Sequence, residues 1–351
     1  MKNEKHLFIF FILVYFFTAC KQKIEYSHNI KSENGELIVQ FRGDVDFVKF
    51  QMFQGIEGEL LKKSNNLFEN KFKISNLDSA IFSYEFVVSK YDTTKNLVPI
   101  NYKSPTDNGF FIFGGKLRKI DYPKSKSLAG KVITEELTSK YLIEPRKLSI
   151  YKPLSYDENT PIIYFTDGQV VEEYASYVDT LIKENKILPF ILVGVYSSDD
   201  LRNEEYIENH NRNENFLRHQ SFFYEDVLEY VEKGIANWQG KRYIHGFSNG
   251  GAFCMHAGIN YPNMFEEVIT FSTVGYISEY IKPIEFSEKF YPKFYIGAGI
   301  YEESVYRENI KFVQKMRSNN ISTTFKSFIS SHDFSPWKIE FFEYILDRFK
   351  F

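Results

Sequence analysis

Tyr243-Ile244-His245-Gly246-Phe247-Ser248-Asn249-Gly250-Gly251 is the stretch on which the reading of this chain turns. It holds Gly-x-Ser-x-Gly between a short apolar strand, Tyr243-Ile244-His245, and an apolar helical run over 251–260. A strand-to-helix turn this tight leaves no room for side chains two residues either side of the serine, and glycine stands at both places. The turn lifts a hydroxyl above the sheet and sets it at the positive end of the following helix, whose first N–H groups have no partner within the helix. Ser248 is therefore the candidate nucleophile, and the backbone N–H of Asn249 a candidate oxyanion donor. A bare Gly-x-Ser-x-Gly also occurs in ordinary turns. The strand before, the helix after and the extra glycine carry the assignment.

Outward from this turn the pattern is regular. Strands are expected at 146–151, 161–165, 190–195, 243–245 and 294–297, those at 161–165 and 190–195 continuously apolar. Helical periodicity falls between and after them, at 172–184, 224–238, 251–260, 305–318 and 337–349. Buried strands alternating with amphipathic helices predict an α/β domain with a mostly parallel sheet over 131–351. The preceding region differs. Leu37-Ile38-Val39-Gln40-Phe41, Phe47 to Met52, Phe68 to Ile74 and Ile81 to Val87 alternate apolar and polar residues between Gly, Asn, Asp and Ser turns. That spacing predicts a small all-β sandwich over 36–113, read as scaffold, followed by a Gly-, Lys- and Ser-rich connector over 114–130.

A serine hydroxyl needs a base to take its proton. His332, in Ser330-Ser331-His332-Asp333-Phe334, is the one histidine beyond His256, and a late loop before the last helix is where the base of such a fold stands. His245 and His256 flank the nucleophile at a strand end and inside a helix, and read as structural. An acid is expected after the strand Phe294-Tyr295-Ile296-Gly297, where Glu302 and Glu303 follow at once. Glu302 is the first choice, Glu303 the second, and Asp333 reads as loop support. The second oxyanion donor is expected in Tyr164-Phe165-Thr166-Asp167-Gly168-Gln169, at the backbone N–H of Gln169, although Asp-Gly is also an ordinary turn pair.

The first residues are an address. Lys2 and Lys5 precede a short apolar run, which ends in Phe17-Thr18-Ala19-Cys20. The run is too short to span a bilayer comfortably and has the form of a secretory signal over 1–19. The small pair before Cys20 looks like a bacterial lipobox, which implies cleavage there, lipidation of Cys20 and a polar tether over 20–35. The expectation is a cell-envelope lipoprotein, attached to the outer membrane by its N-terminal lipid. Of 2 cysteines this leaves only Cys254, in an apolar helix, so no disulfide is expected. A near-balance of 43 basic and 46 acidic residues argues against a bulk grip on nucleic acid. There is no His/Cys cluster with zinc spacing and no phosphate loop, so neither metal nor cofactor is expected. The 36 Phe and 25 Tyr exceed what a plain core requires, and those within 205–230 could line a pocket or simply pack helices over the sheet.

With these residues assembled, the chain resembles the esterase branch of the α/β-hydrolases, which holds enterochelin esterases, esterase D-like enzymes and feruloyl esterases. The likeness rests on Tyr164 to Gln169, on His245 to Gly251, on Gly297 to Glu302 with Asn309, and on His332, Asp333 and Trp337 in His-Asp-x-x-x-Trp. Ser331 departs from it, since glycine usually stands before that histidine. The resemblance covers 131–351 and, less specifically, the β-sandwich. It implies a serine carboxylic-ester hydrolase for a small-molecule or glycan ester, either a siderophore or an acyl- or feruloyl-carbohydrate. It also implies a substrate-side role for Arg202 and Tyr206, and for Trp337. The reading from another class is a ligand-binding lipoprotein that keeps the hydrolase frame without catalysis.

Overall fold

The computed structural model describes residues 26–52, 55–102, 109–121, 127–208, 213–275 and 290–351. The signal segment, Cys20 and the start of the tether lie outside them.

An eight-stranded sheet forms the α/β part. Its order is Lys131–Leu137, Arg146–Lys152, Ile191–Val195, Ile162–Thr166, Arg242–Phe247, Glu267–Phe271, Lys293–Gly299 and Thr323–Phe328. The first two strands are antiparallel to their neighbours and the other pairs are parallel. The central strands are mostly apolar because helices cover both faces. Ile162–Thr166, Ile191–Val195 and Glu267–Phe271 are buried at every position. Glu267–Phe271 and Thr323–Phe328 extend the sheet beyond the strands expected from sequence.

Strand order reverses beside Ile162–Thr166. The chain leaves it for Ile191–Val195 on one side and returns to Arg242–Phe247 on the other. The loops at the carboxyl ends of Ile162–Thr166 and Arg242–Phe247 therefore diverge, which opens a crevice where an α/β sheet binds its ligand. The Gly168 loop and the Ser248 turn leave the sheet at these two ends.

The N-terminal part is a β-sandwich of a seven-stranded and a four-stranded antiparallel sheet. Phe41, Phe50, Phe68, Phe72, Phe82, Phe86 and Phe110 share one core between them, which accounts for much of the phenylalanine excess. Phe47–Met52 shows the expected alternation, with every second residue buried. Two stretches read as connections are strands instead. Ser27–Glu33, within the expected tether, pairs along its whole length with Glu36–Arg42 across the Asn34-Gly35 turn. Lys116–Lys119, within the expected connector, pairs with Phe110–Phe113. Both are polar because most of their side chains face solvent, with Ile30 the one fully buried residue of the first.

The sandwich is docked on the α/β part. Tyr301 and Ile329 pack against its core, and the Ile81 N–H donates to the Ile329 carbonyl at 3.0 Å. No described helix is long and apolar enough to cross a membrane. Cys254 is buried and unpaired.

Candidate active site

Ser248 sits between strand and helix with φ 53° and ψ −126°, a conformation that non-glycine residues rarely adopt. Strain of this kind costs on the order of 1–3 kcal/mol and persists only where the surroundings impose it. Here they do. The Ser248 N–H donates to the Phe271 carbonyl at 2.9 Å, and its carbonyl accepts from Gly251 and Val274 at 3.1 and 3.2 Å. A Cβ on Gly246 or Gly250 would lie 2.5 or 2.3 Å from Thr166 Oγ1, so neither position admits a side chain.

The Ser248 hydroxyl lies 2.9 Å from His332 Nε2, and His332 Nδ1 lies 2.5 Å from Glu302 Oε2. These three residues come from three separate strand exits. Glu302 is buried. Its other oxygen accepts from the Gly299 N–H at 2.6 Å and from the Ser272 hydroxyl. Ser272, itself held at φ 47°, accepts in turn from Trp337 Nε1 at 2.8 Å. The Trp337 ring meets the His332 imidazole edge to face, with 4.7 Å between centroids. The indole thus fixes both the imidazole and, through Ser272, the carboxylate. Glu303 is exposed and pairs with Arg307 at 2.8 Å, away from the imidazole.

Asp333, next in sequence to His332, caps the last helix, Phe334–Arg348, by accepting from the Ser335 N–H at 2.8 Å. Its carboxylate also accepts the N–H and hydroxyl of Ser83, a residue of the sandwich. Burial pushes the Asp333 pKa up, and these three donors, with the Ser335 hydroxyl, oppose the rise.

On the other side of Ser248, Asp167 opens the Gly168 loop at φ 60° and ψ 64°. A short 3₁₀ turn follows over Gly168–Val170, with Gln169 exposed at its start. A Cβ on Gly168 would lie 2.6 Å from the Gly194 backbone, so the loop passes against the neighbouring strand. Asn249 is the first residue of the helix Asn249–Asn260. Both Gln169 and Asn249 are thus at helix starts, where backbone N–H groups lack partners within the helix.

Residues 139–293 match the family described as "Putative esterase". The match spans most of the α/β part and supports the esterase branch for it. A search of curated proteins finds no match. Among solved structures, ferric enterobactin esterase from Salmonella typhimurium is similar at a TM-score of 0.70 and 13% identity, over 92% of this chain and 95% of that one. Enterochelin esterase from Shigella flexneri is similar at 0.67 and 15%, over 91% and 94%. A ferulic acid esterase is similar at 0.52 and 19%, over 63% of this chain and 98% of its own. At such identities the likeness is one of fold, and with the first two it takes in the sandwich as well.

Beside the imidazole of this esterase lies a cavity of about 390 Å³. Phe247, Phe334 and Trp337 line it from the α/β part, together with His332. Trp337, given a substrate-side role by the resemblance, is thus one of the lining residues. Arg202 and Tyr206, given the same role, are not among the described residues that line it. Arg202 spends its charge on Asp167, with Nε and Nη2 at 2.6 and 2.7 Å from the two carboxylate oxygens. Tyr206 is fully buried, and its hydroxyl accepts the Asp167 N–H at 2.9 Å. Both hold the Gly168 loop. Glu205, between them in the same short helix, is taken up by a buried two-pronged pair with Arg146.

His245 and His256 are buried, as expected of structural residues. Burial pulls their pKa values down to about 3 and about 4. Much of the 205–230 aromatic cluster, including Tyr206, Phe216, Phe222 and Phe223, packs into the main core. Sequence reasoning missed Ser272 and Ser83, neither of which carries a motif of its own, and saw Asp167 only as part of Tyr164 to Gln169, without its ion pair to Arg202. Among the described residues no group of three or more His, Cys, Asp or Glu is arranged to hold a metal ion.

Proposed function

We propose that this esterase is a serine carboxylic-ester hydrolase working through an acyl-enzyme. Ser248 Oγ attacks the ester carbonyl while His332 Nε2 takes its proton. The Asn249 and Gln169 N–H groups hold the oxyanion that forms. As the intermediate collapses, His332 returns the proton to the leaving alcohol. Water then attacks the acyl group with His332 again as base, which frees the acid and restores Ser248. Glu302 accepts the Nδ1–H, sets the tautomer and stabilises the imidazolium. The observation that carries this reading is the single imidazole bridging Ser248 Oγ and Glu302 Oε2 at 2.9 and 2.5 Å.

The ester is of siderophore type or an acyl- or feruloyl-carbohydrate. An apolar, aromatic-lined cavity beside His332 supports either. The basic, apolar and Ala19-Cys20 sequence of the N-terminus supports action outside the cytoplasm, with a lipid on Cys20 as anchor. A panel of p-nitrophenyl esters, methyl ferulate, acetylated xylan and ferric enterobactin tests the function. Release from one substrate class, lost in Ser248→Ala, is expected. Preferential cleavage of amides would overturn it.

A further inference from the structure

The cavity beside His332 has a second wall, and it comes from the sandwich. Ser83, Tyr84 and Glu85 line it, at the start of the strand Tyr84–Tyr91. Ser83 is tied to Asp333 and so fixes where this strand meets the imidazole loop. Glu85 follows two positions after Ser83 and also lines the cavity.

The charges there are of one sign. The cavity is lined by two acids, Glu85 and Asp333, and among the described residues by no lysine or arginine. Asp333 is buried and surrounded by Ser83 and Ser335 donors. Among the described residues Glu85 has one partner, and it is neutral: the amide of Gln51 on the neighbouring strand. Lys49, two residues before Gln51, is paired with Glu57 at 2.7 Å. A carboxylate in a cleft walled by Phe247, Phe334 and Trp337 is screened less than one on an open surface, and its repulsion of an incoming anion is correspondingly stronger.

We propose that the sandwich selects the substrate by charge, with Glu85 as the specificity-determining residue: the cavity takes an uncharged or cationic aromatic or aliphatic ester group and turns away an anionic one. This rests on the serine-esterase reading and narrows it. An uncharged acyl- or feruloyl-carbohydrate fits the cavity, whereas a ferric tris-catecholate, which carries three negative charges, does not.

The test uses two p-nitrophenyl phosphonates that report on Ser248 whatever the natural ester. One carries a 4-methoxybenzyl group and the other a 4-carboxybenzyl group. Inactivation of the full-length protein is followed by nitrophenolate release, with Ser248→Ala as the control. Wild type is expected to react with the neutral probe about tenfold or more faster than with the anionic one, as like charges in a confined site require. Glu85→Gln brings the ratio towards one, and Glu85→Lys takes it below one. Reaction of Ser248 with a ratio that neither variant moves overturns the charge filter and leaves the esterase reading standing. No reaction with either probe overturns both.

Discussion

Arg202 grips both carboxylate oxygens of Asp167, at 2.6 and 2.7 Å, and through Asp167 holds the loop that opens at Gly168. The Tyr206 hydroxyl takes the backbone N–H of the same aspartate. The loop that carries Gln169 is therefore held by an ion pair to Arg202, a residue outside the motif. Arg202→Ala is expected to lower kcat roughly 10- to 100-fold, the scale of a misplaced oxyanion donor, with little change in KM. Arg202→Lys recovers part of it, since an ammonium supplies charge without the two-pronged geometry. Steady-state kinetics on a p-nitrophenyl ester separates the two. A rise in KM with kcat intact would restore Arg202 to the substrate-contacting role that the resemblance implied.

Glu302 and Glu303 are adjacent, but only the first faces the imidazole. Glu302→Gln should reduce kcat on the order of 10²- to 10⁴-fold, because an amide can hold the wrong tautomer of His332. Glu303→Gln should leave kcat within about twofold, since it loses only an exposed helix pair. Comparable losses in both variants would contradict the assignment.

How far this site can be read from the chain depends on how local each contact is. The Gly246-x-Ser248-x-Gly250 turn is legible because its strain imposes residue types within a few positions. His332 follows from its place in a late loop. The choice between Glu302 and Glu303 needs the third dimension, because it turns on which carboxylate faces inward after a strand exit. Ser83 leaves no trace, since its partner Asp333 stands 250 positions away. The polar strand Ser27–Glu33 reads as a tether for a related reason. It is held by backbone pairing, which has no side-chain signature, and it buries one side chain fully.

The Ser83–Asp333 contact joins the two parts of the molecule, and the same carboxylate caps the last helix through the Ser335 N–H. Asp333→Ala removes the cap and strands the Ser83 N–H, and should cost about 2–3 kcal/mol in a urea titration. Ser83→Ala removes one hydroxyl donor and keeps the backbone one, and should cost about 1 kcal/mol. Equal midpoints for wild type and both variants would show that the contact contributes nothing.

Three buried histidines make the fold sensitive to acid. Burial, with the Arg146 charge added at His219, takes His219 and His245 to about 3 and His256 to about 4. Each returns towards its ordinary value of about 6.5 on unfolding, so between the two values the unfolded chain binds the extra proton. Stability is therefore full above about pH 6.5 and falls as the pH drops towards 3–4, by up to roughly 2 kcal/mol per histidine at pH 5. Asp333, Glu267 and Glu340, raised by burial, act in the opposite sense within the carboxylate range. Urea midpoints at pH 8, 6.5 and 5 check this. His219→Phe, which keeps an aromatic ring against Tyr206 and Phe253, should lose less than wild type between pH 6.5 and 5. An unchanged slope would contradict the account.

The central claim is that Ser248 is an activated nucleophile, and covalent capture tests it most directly. The full chain is treated with a fluorophosphonate, and its intact mass and peptide map are measured. The account predicts one adduct per chain, located on Ser248, absent in Ser248→Ala and strongly slowed in His332→Ala. No adduct on the wild-type chain, or one on another residue that persists in Ser248→Ala, would contradict it.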